Sequence, residues 1–171
     1  MVVTCSLILV AVIIIERIFE IRLAARNRRI VSAMGVKEYG RKHYPLMVLL
    51  HTGWLFGWLS EALLYNRLSE VWYVWLALFL LAEILRYWCI LSLGQFWNTR
   101  IFVVPGTRLV QRGPYRFMTH PNYLAVSVVL LSVPLIFSAY ITAIAATILN
   151  AALLLCIRIP AEERALKSIS K

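Results

Sequence analysis

The sequence predicts an all-α integral membrane protein with about five transmembrane helices, the last two forming a tight hairpin. Of its 171 residues, 61% are hydrophobic and 15% charged, against about 45–50% and about 25% in soluble domains. Mean hydropathy is +0.77. The charges are also segregated. Net charge is +10, and fifteen of the 18 Lys and Arg fall in three stretches, Arg22 to Lys42, Arg100 to Arg116 and Arg158 to Lys171. Basic loops alternating with apolar spans are the positive-inside pattern of a polytopic protein; a nucleic-acid binder would carry one basic stripe. A water-soluble globule and a disordered chain are excluded. Anionic lipid headgroups are the expected partner of these charges, and nucleic acid is not.

The first apolar run, Val2 to Ile15, is shorter than the roughly 20 residues that cross a bilayer. The helical pattern continues through Glu16, Arg17 and Glu20 to about Ala24, giving one span with charge in its inner third. The run lacks the basic start of a cleaved signal peptide. A second span is expected from Pro45 to Tyr65 and a third from Val71 to Leu93, joined by a turn that permits only an antiparallel hairpin. Tyr123 to Ile157 as one helix would reach about 50 Å, too long for a bilayer core of about 30 Å. Pro134 and Ser138-Ala139-Tyr140 divide it into two helices. With the N-terminus outside, all three basic stretches lie on the inner, cytoplasmic side, as in a multi-pass protein of the cell membrane. The length allows one domain, 1–171, with three spans in 1–93 and a distinct region in 94–171.

Cys5, Cys89 and Cys156 lie singly in apolar runs and form no metal-ligand spacing, so no metal site is expected. Chemistry is expected in Gly94 to Asn122, a loop too long to be a mere connector. It carries Gly106-Thr107-Arg108-Leu109-Val110, then Gly113-Pro114-Tyr115-Arg116, then His120-Pro121-Asn122-Tyr123. Glycines allow backbone to approach a ligand. Pro121 suits a helix start, where free N–H groups favour acceptor groups on a ligand. An interfacial loop with Tyr and Arg anchors is the plainer alternative. Beyond the hairpin, Arg158 and Glu162 share a helix face, with Glu163 adjacent; an exposed surface pair is the plainer reading here. The hairpin returns this tail to His120-Pro121-Asn122-Tyr123. Together they form a half-polar pocket at the inner membrane face, open to water and to lipid.

The run Leu109-Val110, Gly113-Pro114-Tyr115-Arg116, His120-Pro121-Asn122-Tyr123, followed by Arg158 and Glu162-Glu163, resembles the isoprenylcysteine carboxyl methyltransferase family. Glu16-Arg17, Glu20 and Arg26-Asn27 resemble its small bacterial branch, some members of which O-methylate alkylpyrones. The resemblance covers about residues 94 to 166. It implies an S-adenosylmethionine-dependent O-methyltransferase acting on a lipophilic small molecule, either a prenylcysteine-like carboxylate or the hydroxyl of an alkylpyrone or alkylresorcinol. It also implies that Thr107, Arg108, Leu109, Val110, Tyr115, His120, Pro121, Asn122, Tyr123 and Glu162 bind the cofactor. Arg158 would face the substrate as the catalytic group. A carboxylate suits the cofactor's cationic end, and a guanidinium suits an anionic oxygen. The chain departs from larger members by ending eight residues after Glu163, and Gln95 to Phe102 match no part of the pattern.

Among the other ionisable residues, Glu83 and Arg86 are expected to pair inside the bundle. Glu16 and Glu20, which repel at this spacing, are expected to be held by Arg17 and Arg22. His51 is expected to hydrogen-bond across helices, and His43 to be solvated. Two other classes stay open. One is a small transporter or assembly factor using Glu83 as a proton-coupled carboxylate. The other is a sterol-reductase-like membrane reductase, for which more spans and a longer chain are expected.

Overall fold

The computed structural model describes residues 1–107 and 109–167. Helix α1 is Val2–Ser32, α2 Tyr44–Tyr65, α3 Trp72–Leu93, α4 Pro121–Ile136 and α5 Tyr140–Leu153; α5 continues through a π turn, Leu154–Arg158, into α6, Ile159–Lys167. Four helical stretches are long and apolar enough to cross a membrane: Val2–Ser32, Arg41–Tyr65, Trp72–Phe96 and Tyr140–Lys167. The protein is thus a multi-pass membrane protein. The fifth apolar helix, α4, has 16 residues and extends only about 24 Å. Its Ala125, Val126, Val129, Leu130 and Val133 are buried, and it packs along α3 and α5. Between helices in lipid, such close packing replaces the hydrophobic drive available in water.

The expected hairpin is present. Pro134 lies inside α4, and the chain reverses at Phe137 to Ala139, where Ser138 takes a positive φ of 53°. Pro134 has no N–H for the carbonyl of Leu130, four residues back. The indole of Trp54 in α2 donates to that carbonyl instead, at 2.9 Å. One turn along, Trp58 is fully buried and stacks on Phe137, ring centroids 5.4 Å apart. Glu61, one further turn on, accepts from the Ile141 and Thr142 amides at 3.2 and 2.7 Å and from the Thr142 hydroxyl at 2.5 Å. It thereby caps α5, whose free N–H groups attract negative charge.

Several expectations need correction. Helix α1 continues to Ser32, well past Ala24, because Asn27 donates to the carbonyls of Gly94 and Trp97 at 3.0 and 2.8 Å. Asn98 answers by donating to Ala24 O at 2.8 Å. Arg86 pairs with Glu20 rather than with Glu83, its Nε to Oε1 at 2.5 Å and Nη2 to Oε2 at 2.6 Å. Arg17 holds the other side of Glu20 at 2.8 Å. Glu16 takes the Tyr87 hydroxyl at 3.5 Å. His51 bonds within its own helix, to Met47 O at 2.7 Å.

The long loop acquires its own structure. Strand β1, Lys37–Tyr39, pairs antiparallel with β2, Ile101–Val103, in the register Glu38 to Phe102. Arg100 pairs with Glu38 at 2.8 Å. Ile101 and Val103 pack on Ala165 of α6. The loop is thereby clamped between the end of α1 and the final helix.

Candidate functional site

The site forms where the start of α4 meets the junction of α5 and α6. Pro121 opens α4, so His120 and Asn122 flank the first helical residue. On the other side, Pro160 lacks the N–H for the carbonyl of Cys156. The helix widens there into the π turn that ends at Arg158, an irregularity frequent at functional positions. Arg158 and Glu162 therefore both reach Tyr123, at the start of α4. The Tyr123 hydroxyl donates to Glu162 Oε2 and accepts from Arg158 Nε at 3.1 Å. Arg158 is buried, and its Nη2 donates to the Thr99 carbonyl at 2.9 Å. An exposed surface pair is thereby excluded for Arg158.

His120 stacks on Tyr123, ring centroids 5.4 Å apart. Its Nδ1 lies 4.0 Å from Glu162 Oε2 and its Nε2 3.9 Å from Glu163 Oε1, beyond hydrogen-bond reach. Among the described residues, His120 Nε2 and Asn122 Oδ1 are buried without a hydrogen-bond partner. Such groups cost about 1–3 kcal/mol each unless a ligand or water satisfies them.

His120 and Asn122 border a cavity of about 760 Å³, within the range of small-molecule sites. Thr107, Leu109, Val110, Tyr115, His120, Asn122, Tyr123, Arg158 and Glu162 line it. Pro121 is buried beneath the rim, and Arg108 lies outside the described residues. The cavity also runs between α1 and α2, past Ile14, Ile18, Ile21 and Val48, side chains otherwise open to the lipid side. Burial and the neighbouring Cys89 thiol push the Tyr115 phenol up, so Tyr115 presents a neutral ring and hydroxyl.

Two glycines serve the loop differently. A Cβ on Gly113, which has φ +58°, would lie 1.9 Å from Ser92 Oγ, so only glycine allows this turn to pack on α3. Gly106, at φ +74°, meets nothing within 4 Å and serves the turn alone. Arg112 Nε donates to Ser92 O at 2.7 Å and fixes the same contact. Sequence reasoning missed Thr99, because only the folded chain brings its carbonyl to Arg158.

The fit to the implied cofactor rests on this donor set. A carboxylate, an amide oxygen and an imidazole surround one end of the cavity, with apolar Leu109 and Val110 beside them. That chemistry matches a molecule bearing an ammonium, hydroxyls and a flat base.

An uncharacterized protein of Bacillus subtilis, YpbQ, is 40% identical over 164 residues, 95% of this chain and 97% of its own. An uncharacterized protein of Haemophilus influenzae is 25% identical over 164 residues, 93% of each chain. No solved structure matches. Residues 75–168, which include most of α3, the loop, the α4–α5 hairpin and the Arg158–Glu162 helix, match the isoprenylcysteine carboxyl methyltransferase family; the chain belongs to that family.

Proposed function

We propose that the protein is an S-adenosylmethionine-dependent methyltransferase that methylates an oxygen of a lipophilic acceptor. Membership of the family supports methyl transfer. The observation that carries the reading is the half-buried Tyr123 hydroxyl, shared by Arg158 and Glu162 beside the unpartnered His120 Nε2 and Asn122 Oδ1. Region 94–171 acts as the cofactor-binding part, and 1–93 forms the acceptor's wall.

Thr107, Arg108, Leu109, Val110, Tyr115, His120, Pro121, Asn122, Tyr123 and Glu162 form the cofactor site. Glu162 carries the charge that suits an ammonium, and Asn122 Oδ1 accepts from the same group. Bound S-adenosylmethionine supplies an electrophilic methyl on a sulfonium. Arg158 is the catalytic residue: Nε and Nη2 are anchored on Tyr123 and Thr99, which leaves its other terminal nitrogen for the acceptor oxygen. A fixed guanidinium stabilises negative charge there without reorganising. Alignment in a water-poor site provides the remaining acceleration. The acceptor is a prenylcysteine-like carboxylate or the hydroxyl of an alkylpyrone or alkylresorcinol, and it arrives from the bilayer between α1 and α2. The N-terminus lies outside and residue 171 in the cytoplasm.

The test is titration of S-adenosylmethionine into detergent-solubilised protein by calorimetry. Saturable binding that His120→Ala weakens is expected. No binding to the wild-type protein would end this reading.

A further inference from the structure

The cavity has a second polar end. Helices α1, α2 and α3 each place a polar side chain seven residues from their inner landmarks. Glu20 precedes Asn27, His51 follows Tyr44, and Arg86 precedes Leu93. Seven residues of helix rise about 10 Å, so these groups lie about two turns in from those landmarks. Arg17, Glu20, Arg86 and His51 all line the cavity there.

The ion pairing at this level is uneven. Arg86 already grips both oxygens of Glu20, and these two side chains are 5% and 3% exposed. Arg17 adds one bond to the same carboxylate, and its side chain is 34% exposed. The cavity wall here therefore holds two guanidiniums and one carboxylate. Glu16 and Glu83 lie off that wall, close enough to act on Arg17 electrostatically but leaving its cavity-facing donors to a ligand. A cation at membrane depth is costly unless something occupies its free donors. On the same cavity, His51 Nδ1 bonds Met47 O. A carbonyl only accepts, so Nδ1 carries the proton, and Nε2 of the neutral ring is an acceptor.

We propose that Arg17 and His51 form a second polar subsite that binds a hydroxyl on the bilayer-buried part of the lipophilic acceptor. Arginine only donates, and this histidine nitrogen only accepts. A hydroxyl satisfies both through one oxygen; an ether or ester oxygen satisfies Arg17 alone, and a hydrocarbon satisfies neither. That the hydroxyl belongs to the methyl acceptor rests on the methyltransferase reading; the subsite itself does not.

The experiment compares dodecanol with methoxydodecane on detergent-solubilised protein, reading apparent affinity from the ligand-dependent rise in unfolding temperature. Wild-type protein should prefer the alcohol by about threefold to tenfold, the size of the one neutral hydrogen bond that only the hydroxyl can donate to His51. His51→Phe should abolish the preference, whereas Arg17→Met should weaken both probes alike, since both oxygens accept from Arg17. Glu20 keeps both bonds to Arg86 in Arg17→Met; if that variant nevertheless fails to fold, His51→Phe decides. Equal affinity for the two probes in wild type, or an unchanged preference in His51→Phe, would overturn the subsite. A parallel S-adenosylmethionine titration separates the two proposals. Absent cofactor binding with an intact alcohol preference removes only the methyltransferase reading; normal cofactor binding without the preference removes only the subsite.

Discussion

The Trp54 indole donates to the Leu130 carbonyl at 2.9 Å, at the one acceptor in α4 that Pro134 leaves without a helical partner. The bend that lets α4 stay short is thus supported from α2.

Trp54→Phe should lower stability by about 1–3 kcal/mol, the cost of a buried acceptor left unmade. Restoring an N–H with Pro134→Ala should shrink that loss, because the Leu130 carbonyl regains a helical donor. Denaturant unfolding of both single variants and the double variant checks this coupling. Additive effects would mean that Trp54 acts by packing alone.

Glu61→Ala should also destabilise the bundle, by about 1.5–3 kcal/mol, because a charged cap is lost. Glu61→Gln keeps an acceptor and should lose less. The same unfolding assay ranks them, and the reverse order would mean that Glu61 acts through its bulk.

How far the sequence foretold these features depended on range. Apolar length located the spans, and Pro134 with Ser138 located the hairpin, because both signals are local. Pairings across many residues left no local trace. Arg86 lies one turn from Glu83, yet it chose Glu20, which α1 presents directly across the bundle. Glu61 reads as a lone intramembrane acid until α5 begins against it. Asn27 carried no sign that it would extend α1 by receiving the loop at Gly94 and Trp97. In the site, the motif at His120 to Tyr123 and the Arg158–Glu162 spacing were legible. Their meeting at one hydroxyl depended on the π turn before Pro160, a tertiary detail.

Reporter fusions test the orientation. Fusions within residues 26–42 and after residue 171 should report the inner side, and one at Ser69 the outer side. Residue 171 outside would separate Arg158 and Glu162 from the inner face and remove the proposed pocket.

The unpartnered atoms give a test with a quiet background. His120→Ala and Asn122→Ala each delete a buried polar atom that bonds nothing in the protein. Stability should hold or rise slightly in Asn122→Ala, and fall by no more than the lost ring stacking on Tyr123 in His120→Ala. Cofactor affinity should fall about tenfold, the worth of one charge-assisted hydrogen bond, as read by calorimetry beside thermal unfolding. Unchanged affinity in both would mean that the motif lines the cavity without touching the cofactor.

The Tyr123 hub makes the last prediction one of coupling. Glu162→Gln should cost cofactor affinity, because the lost charge matches an ammonium. Arg158→Lys keeps charge but loses the planar fork that spans Tyr123 and Thr99, so turnover should fall while cofactor affinity stays near normal. Each loss should be about tenfold to a hundredfold. Tyr123→Phe removes the hydroxyl that orders both side chains, and it should depress both quantities. In the Tyr123→Phe background, Glu162→Gln and Arg158→Lys should each cost less than in wild type, since their geometry is already released. Full, additive losses in that background would mean that Arg158 and Glu162 are positioned independently, and that the shared hydroxyl is incidental to the site.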